Sequence, residues 1–451
     1  MPYKNDEFIS QLYRLSVPLT LQFLFTSSFS LLDTVMVADL GELQIAAAGI
    51  AGQLEFLLVM ILAGALSGPA VFMAQYYGKR DYVSIKKLAA LNVFSGFAIS
   101  FIFYIVLTLS SPYVFWPFTQ DDQLLEMTAS FVSIVSFGFI ASAVTTAFTM
   151  SLKSIGVVKA VMYMTVLSLL LNTVLNYALI YGHFGFEPMG VNGAAVATLI
   201  SKLLLLILTV AYVYAMKREV SVSFLKRFPY DRVLFGRVYR VTKPIIIHES
   251  LWGLGTTMYI VAFGMMGAAS IAIIQVSKVI GNFVLAGVLG FAQSASVMIG
   301  EQIGLRNKEQ AQKYAERFTR IGVAAAVLIG LALFVAAPQV VGLFHIGEQL
   351  RGQAVNIVRI MSCVLTCSFL NNIWIVGVFR SGGDTHYSMK LVLGSTWLIG
   401  IPLAFIGAGI MKWPIEVVYG LFATEEISKT LFGYFRYRSR HWQHDLVSTE
   451  Q

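Results

Sequence analysis

Charged residues are scarce in this 451-residue chain. Asp, Glu, Lys and Arg together make up 12% of it, whereas they make up about a quarter of a typical soluble domain. This scarcity argues against a soluble enzyme, a nucleic-acid-binding protein and a disordered chain. Hydrophobic residues make up 57% of the sequence, and several apolar runs exceed the roughly 20 residues that span a bilayer. The sequence therefore predicts an all-α polytopic membrane protein.

Cysteine is also rare. Cys363 and Cys367 are the two cysteines of the chain, four residues apart in one apolar segment. Two thiols on one helix make a poor disulfide and half of a metal site, so we expect them to serve packing. The Walker A pattern GxxxxGK[ST], the dinucleotide pattern GxGxxG and paired metal-ligand spacings are absent as well. ATP is thus excluded as the energy source, and we expect no enzymatic activity, no cofactor and no metal centre.

Breaks at charged or Gly/Pro-rich points divide the chain into twelve apolar segments, whose ends are uncertain by several residues. The first is long and follows the polar stretch Met1–Phe8, so we expect a transmembrane helix there and no cleavable signal peptide. The predicted segments are 15–38, 46–76, 89–112, 128–150, 159–181, 190–215, 243–266, 270–298, 318–343, 354–378, 388–410 and 415–435.

Most of the 32 basic residues lie at the two termini and in the loops that follow even-numbered segments. Loops between the other segments are short or acidic, as in Thr119–Gln123. Because positive charge is retained on the cytoplasmic side, both termini are predicted to be cytoplasmic. The net charge of +8 then reflects topology and contact with the anionic lipids of the bilayer. We expect no nucleic-acid partner.

The two halves of the chain repeat each other at an offset of about 226 residues. Three motif pairs carry the repeat: Tyr13–Pro18 with Tyr239–Pro244, Tyr77–Asp81 with Ile303–Asn307, and Lys153–Gly156 with Arg380–Gly383. The predicted organisation is an N-lobe at 1–216, a cytoplasmic linker at 217–242, a C-lobe at 243–436 and a cytoplasmic tail at 437–451. Two six-helix lobes of like orientation are related by an axis along the membrane normal, with a central cavity that favours alternating-access transport.

Several motifs resemble the MATE (multidrug and toxic compound extrusion) family. They are Pro18 followed by Leu32–Val37, the loop Gln75–Asp81, Asn172 and Asn176 with Ile180 and His183, the run Pro188–Thr198, and Arg380–Thr385. The resemblance covers all twelve segments and points to the prokaryotic type with an acidic residue in the first helix, the DinF-like subgroup. It implies two pseudo-symmetric six-helix lobes and export of amphipathic, mostly cationic compounds in exchange for protons or sodium.

The resemblance also implies a cation-coupling site in the N-lobe, formed by Asp33, Asn172, Asn176 and Thr198. A carboxylate at the depth of Asp33 is costly in a membrane and normally faces the bundle interior or a wet cavity. Asn172 and Asn176 place two amides on one helix face, where they suit either protonation state of a carboxyl group. They also suit Na⁺ together with Asp33, or simple interhelical hydrogen bonding. Because Asn176 stands where relatives can have a second acid, H⁺ is the favoured coupling ion.

Other intramembrane polar residues are secondary candidates. In the C-lobe, Glu249 is interpreted as a cavity or substrate-contacting acid, with an interfacial position as the alternative. Lys278 is a candidate partner of Glu249, unless it snorkels to the interface. Asp39 is a second polar candidate near the end of the first segment, and its structural role is favoured. His248 is expected to be a packing histidine. Interfacial positions are predicted for the remaining acids, namely Glu55, Glu425 and Glu426.

The sequence thus predicts a monomeric antiporter of the bacterial inner membrane that exports amphipathic cations, with H⁺ as coupling ion and Na⁺ as the alternative. A lipid-linked oligosaccharide flippase of the same architecture is the rival hypothesis. It requires several cavity cations, and here only Lys278 and Lys202 qualify. A passive channel or receptor is a third class, and nothing in the sequence resembles a selectivity filter.

Overall fold

The computed structural model describes residues 3–109, 121–222, 231–344 and 347–447. Within these ranges the chain forms twelve long helical segments and no β-strand. The segments are α1 Tyr3–Ala38, α2 Glu42–Lys79, α3 Tyr82–Leu109, α4 Asp122–Ser154, α5 Lys159–Tyr181, α6 Gly190–Met216, α7 Arg232–Gly264, α8 Ala268–Gly304, α9 Lys308–Val341, α10 Glu348–Asn372, α11 Thr385–Ile410 and α12 Ile415–Ser439.

In the described ranges three π-helical stretches occur, all of them in the C-terminal half. Ile373–Phe379 continues α10, and Gly394–Gly400 and Ile406–Ile410 interrupt α11. A single turn of 3₁₀-helix, Arg218–Val220, follows α6. Because a π-turn inserts an extra residue, it locally changes which side chains face the neighbouring helices, and such turns are frequent at functional sites.

Of the helices in the described ranges, eleven are long and apolar enough to cross a membrane. The twelfth predicted segment is present as α12, which carries more charge because Glu425, Glu426 and Lys429 lie within it. The predicted all-α fold with twelve long helical segments is therefore confirmed. Several helices begin earlier than predicted, most of all α1 at Tyr3 and α7 at Arg232. The second part of the predicted linker is therefore helical. The linker residues 223–230 lie outside the described ranges.

A tight turn and a close helix contact hold α5 against α6. Gly182 ends α5 with φ of +76°, a left-handed conformation that glycine adopts without a Cβ penalty. A Cβ atom on Gly193 would lie 2.6 Å from the carbonyl oxygen of Leu179. The absent side chain therefore lets the two helices approach closely, which fixes the position of Asn176 relative to α6.

The chain divides into two compact units, and each boundary falls close to a proline of the repeated motif. One unit comprises Leu21–Thr242, and the other comprises Met1–Thr20 with Lys243–Gln451. Pro18 and Pro244 lie inside α1 and α7 respectively. The first five turns of α1 thus pack with the C-terminal half of the sequence. The lobe boundaries predicted above remain a prediction.

Within the second unit, aromatic and hydroxyl contacts attach α1. The Phe8 ring packs edge-on against Tyr314 and Phe318, with centroid distances of 4.9 and 5.5 Å. The hydroxyls of Ser16 and Ser294 lie 2.6 Å apart. An aromatic pair in this geometry contributes about 0.5–1.5 kcal/mol beyond its buried area, so the start of α1 is firmly held.

The C-terminal tail packs back on the loop between α10 and α11. Trp442 is fully buried, and a Cβ atom on Gly382 would lie 2.0 Å from its carbonyl oxygen. The backbone amide of His444 donates to the carbonyl of Gly382 at 2.9 Å. Glycine at position 382 is therefore required for the tail to dock.

Candidate functional site

Asp33 of α1 and Asn176 of α5 are in contact, and each lies five residues before the last residue of its helix. The Asn176 amide nitrogen donates to Asp33 Oδ1 at 2.5 Å and to Asn172 Oδ1 at 3.3 Å. Asn176 is fully buried, while Asp33 and Asn172 are half-buried. Three of the four residues predicted for the coupling site are thus in direct contact.

The carbonyl oxygen of the Asn176 side chain is buried and has no hydrogen-bond partner among the described residues. A buried acceptor left unpaired costs about 1–3 kcal/mol, so such a group calls for a donor. The amide thus offers a donor to an ionised Asp33 carboxylate and, after rotation, an acceptor to a protonated one.

Thr198, the fourth predicted residue, is half-buried on α6. In the described part of the chain, it makes no hydrogen bond to Asp33, Asn172 or Asn176. Lys202 lies one helical turn further along α6. From the sequence it was expected only as a candidate cation of the cavity. Thr198 and Lys202 share one face of the helix because they are four residues apart.

Lys202 forms an ion pair with Glu55 of α2, with its ammonium 2.6 Å from Glu55 Oε1. The ammonium also lies 5.1 Å from the centroid of the Phe139 ring, within cation–π range. Glu55 lies about 20 Å along α2 from its first residue, at 1.5 Å per residue. The predicted interfacial position of Glu55 is therefore wrong, because its charge is balanced inside the bundle by Lys202.

Asp39 lies at the edge of a pocket between α1 and α5. Its carboxylate accepts a hydrogen bond from the Tyr181 hydroxyl at 3.0 Å. The ring of Tyr177 stacks on that of His183 at a centroid distance of 4.2 Å, and Phe184 completes the aromatic wall. An exposed acid beside several aromatic rings is suited to contact a flat cationic group.

Glu249 is paired differently from the prediction. Arg380 binds it at 2.6 Å through Nη2, which also lies 2.6 Å from Nδ1 of His248. Lys278 is exposed on α8, and the predicted pair with Glu249 is not formed. His248 is buried but hydrogen-bonded, so it does more than pack. Arg380 lies just after the tenth predicted segment, 354–378, so the topology pattern alone places it in a cytoplasmic loop and not beside Glu249.

Glu425 and Glu426 were also predicted to be interfacial, which is wrong. Their exposed fractions are 2% and 8%, and Lys429 binds both carboxylates, at 2.5 and 2.8 Å. Glu425 accepts further hydrogen bonds from Thr396, at 2.6 Å, and from Tyr259. Asn371 donates to Glu426 at 2.9 Å. Lys429, one turn along the same helix, is what makes burial of the two acids tolerable.

No group of three or more His, Cys, Asp or Glu side chains that could hold a metal ion occurs in the described ranges. Cys363 and Cys367 are free thiols.

Twelve long helices with carboxylates buried among amides and lysines define a class, the multi-pass secondary transporters. The MatE family pattern matches residues 18–178 and, a second time, residues 244–406. The second match begins 226 residues after the first, which is the offset of the repeated motifs. The chain belongs to this family, and it is a MATE transporter and not an enzyme.

Relatives and a solved structure agree with this placement. The chain is 24% identical over 413 residues to the uncharacterized transporter YisQ of Bacillus subtilis, covering 91% of this chain and 90% of YisQ. It is 24% identical over 404 residues to the multidrug resistance protein NorM of Burkholderia vietnamiensis, covering 87% and 85%. A mutant of the Vibrio cholerae MATE transporter VcmN has the same fold, with a TM-score of 0.90 at 16% identity and 98% of each chain covered.

Proposed function

We propose that the protein exports amphipathic, mostly cationic compounds across the bacterial inner membrane in exchange for protons, and that Asp33 carries the proton. The observation that carries this proposal is the contact of Asp33 with Asn176, whose second polar atom is buried and unpaired. The site therefore has a partner ready for either protonation state of the carboxyl group. A residue that cycles between two protonation states needs such an arrangement.

The coupling ion is the proton rather than Na⁺. A sodium ion needs several oxygen ligands, but the Asn176 side chain turns its nitrogen toward Asp33. Thr198, which family resemblance adds to the site, contributes no hydrogen bond to it in the described part of the chain. A proton needs only one acceptor oxygen, which Asp33 supplies.

A mechanism for coupling follows from the position of Pro18 in α1. Proline removes one backbone hydrogen bond from the helix and makes bending there cheaper. The two compact units share α1, with the boundary two residues after Pro18. Loss or gain of the Asp33 proton changes the hydrogen bonds of the distal part of α1. We propose that this change bends α1 and expels the bound compound.

The charge pattern supports a cationic substrate. Asp39 and the neighbouring rings of Tyr177 and Phe184 form an acidic, aromatic pocket. The NorM relative is named a multidrug resistance protein, in line with this substrate class. In contrast, the cations Lys202, Arg380 and Lys429 are each already paired with an acid, which leaves them unsuited to the pyrophosphate of a flippase substrate.

We further propose that the transporter acts as a monomer. We also propose that both termini lie in the cytoplasm, because the basic residues collect at the termini and in the linker. Accessibility labelling of single cysteines introduced near residue 1, in the linker and after Arg440 checks the topology. An external signal from the linker would contradict it.

The function is tested with purified protein in liposomes, by imposing the proton and sodium gradients separately. Export of ethidium, a flat cation, is expected to follow the proton gradient and to be indifferent to Na⁺. Export driven only by Na⁺ would overturn the proton assignment, and export without any gradient would point to a channel.

A further inference from the structure

The repeated motif aligns two basic residues, Lys153 and Arg380. Lys153 lies in the last turn of α4, and Arg380 directly follows the π-helical continuation of α10. These are the fourth helices of their halves, so the two cations occupy equivalent places in the repeat. A difference between their contacts is therefore a difference between the two halves.

The helix with the repeated proline supplies the contact in each half. Phe23 lies five residues after Pro18 in α1, and Glu249 lies five residues after Pro244 in α7. Each contact thus lies just over one helical turn beyond the proline. It is made to the part of the helix that moves when the helix bends at the proline.

In the N-terminal half this contact is weak. The Lys153 ammonium lies 5.7 Å from the centroid of the Phe23 ring, which is a cation–π distance. Within the described ranges the ammonium has no acidic partner. The side-chain oxygen of Gln22, the residue before Phe23, is buried and has no hydrogen-bond partner among the same residues. Movement of α1 away from Lys153 therefore breaks no ion pair.

In the C-terminal half the contact is strong. Arg380 Nη2 lies 2.6 Å from Oε1 of Glu249 and 2.6 Å from Nδ1 of His248. His248 is the repeat equivalent of Gln22. The exposed fractions of the Arg380 and Glu249 side chains are 10% and 14%. Movement of α7 away from Arg380 would leave two charges uncompensated in the interior, which is strongly unfavourable.

The loop that carries Arg380 is itself fixed. Arg436 Nε donates a hydrogen bond to Asp384 at 2.6 Å, and Gly382 lies against the buried Trp442 of the C-terminal tail. Arg380 therefore holds Glu249 from a base that does not move easily.

We propose that this basic position is a clamp on the proline-containing helix. The N-terminal clamp, Lys153 with Phe23, is releasable, whereas the C-terminal clamp, Arg380 with Glu249, stays closed. The two clamps decide which helix bends during transport: α1 bends on release from Lys153, and α7 does not bend. Lys153 is thus a positioning residue that acts through Phe23 on the part of α1 that carries the coupling acid. This inference rests on the proposed bending of α1.

The first test closes the N-terminal clamp with Phe23→Glu, which gives α1 the acid that α7 has at the equivalent position. An ion pair with Lys153 should then hold α1. The rate of proton-driven ethidium export in liposomes should fall about tenfold or more, because an added barrier of about 1.4 kcal/mol already slows a step tenfold. The matched control is Phe23→Gln, which has nearly the shape of the acid without its charge and should export close to the wild-type rate. Wild-type export by Phe23→Glu would overturn the inference.

A double variant separates the ion pair from a general effect of the substitution. Phe23→Glu/Lys153→Met removes the cation while keeping the length of its side chain. A buried acid without a partner takes up a proton and becomes neutral, so it no longer holds α1 and most of the export should return. A merely structural defect at position 23 is not relieved by the second substitution. Export that stays as low as in Phe23→Glu would therefore overturn the inference.

A reversible cross-link decides the question if the acid variants fail to fold. Phe23→Cys/Lys153→Cys is prepared with the native thiols removed by Cys363→Ala and Cys367→Ala, and is treated with a short bis-methanethiosulfonate. Ethidium export should stop on cross-linking and return when a reductant opens the link, because one folded sample is measured in both states. Export that continues across a link verified by mass spectrometry would overturn the inference.

Failure of the proposed function has a different signature. Wild-type export would then not follow the proton gradient, whatever the variants do. Failure of the clamp inference leaves wild-type export coupled to protons and appears only in the variants and the cross-linked protein.

Discussion

Each half of the chain places two acids around one lysine, and the two sets differ in how completely they are paired. In the N-terminal set, Asp33 has one donor among the described residues, Asn176, and within the same ranges Lys202 pairs with Glu55 alone. In the C-terminal set, one lysine, Lys429, bonds to both acids, and every carboxylate oxygen of Glu425 and Glu426 accepts a hydrogen bond. The remaining donors of the C-terminal set are Tyr259, Thr396 and Asn371.

The comparison separates two uses of buried charge. A fully bonded set ties helices together but has no spare site for a ligand, and removing one member leaves an uncompensated charge. A partly bonded set can change its protonation state at small cost. We therefore infer that the C-terminal set stabilises the fold, whereas the N-terminal set does the work of coupling.

The largest expected effect is on transport. Asp33→Asn fixes the carboxyl position in the neutral form, so proton-driven ethidium export should fall to the level of liposomes without protein, with the fold preserved. Transport in liposomes measures the first result and thermal unfolding the second.

Asp39→Asn is the matched control, because it makes the same chemical change six residues further along. It should retain proton coupling, with at most a weaker apparent affinity for the dye. Wild-type exchange in Asp33→Asn would contradict the assignment and make Glu249 the next candidate.

The second effect is on stability. Here the C-terminal set is expected to matter more than the N-terminal set, the opposite of the order expected for transport. Lys429→Met leaves two buried acids without their cation and should cost about 3–5 kcal/mol. Lys202→Met should cost distinctly less, because Glu55 is one-third exposed. Denaturant unfolding of both variants in the same detergent makes the measurement. Equal losses would show that the two sets are equally structural.

A smaller effect is expected from a single donor. Tyr259→Phe removes the hydroxyl that bonds to buried Glu425 and should cost about 1–3 kcal/mol. Tyr181→Phe removes a similar bond to exposed Asp39 and should stay within about 0.5 kcal/mol. Equal costs for the two substitutions would show that complete hydrogen bonding does not add to the stability of the C-terminal set.

The smallest effect concerns an ion pair at the start of α7, outside both sets. The pKa of Asp231 is held below its ordinary value, first by the backbone amide of Leu234 and then by Lys87. A lowered pKa in the folded state stabilises the protein fully above about pH 4, the ordinary value of Asp, and this stability is lost as the pH falls further. Asp231→Asn should reduce the acid dependence slightly, measured as unfolding between pH 6 and pH 3. The same pH dependence of unfolding in Asp231→Asn and wild type would show that the pair of Asp231 and Lys87 does not contribute to stability.

Much of the fold was predictable from the sequence, because long apolar runs and the repeat offset of 226 residues can be read directly from the order of the residues. Asp33, Asn172 and Asn176 were also predicted together, since spacing on one helix and a family motif both point to them. The contact of Asn176 with Asp33 confirms their proximity, while their role in coupling remains a proposal.

The ion pairs were not predictable, because their members are far apart in sequence. Lys202 and Glu55 are separated by 147 positions, and Arg380 was assigned to a loop. Glu425 and Glu426 carried a usable local signal, namely Lys429 three and four residues later. That signal was missed because acids near a helix end also fit an interface.

The most direct test counts the protons released when the transporter binds its substrate. Calorimetry of ethidium binding in buffers of different ionisation enthalpy gives this number without any membrane gradient. The account predicts release of about one proton by wild type and by Glu425→Gln, and none by Asp33→Asn, because a ligand and a proton that exclude each other are linked. Release that persists in Asp33→Asn, or disappears in Glu425→Gln, would contradict it.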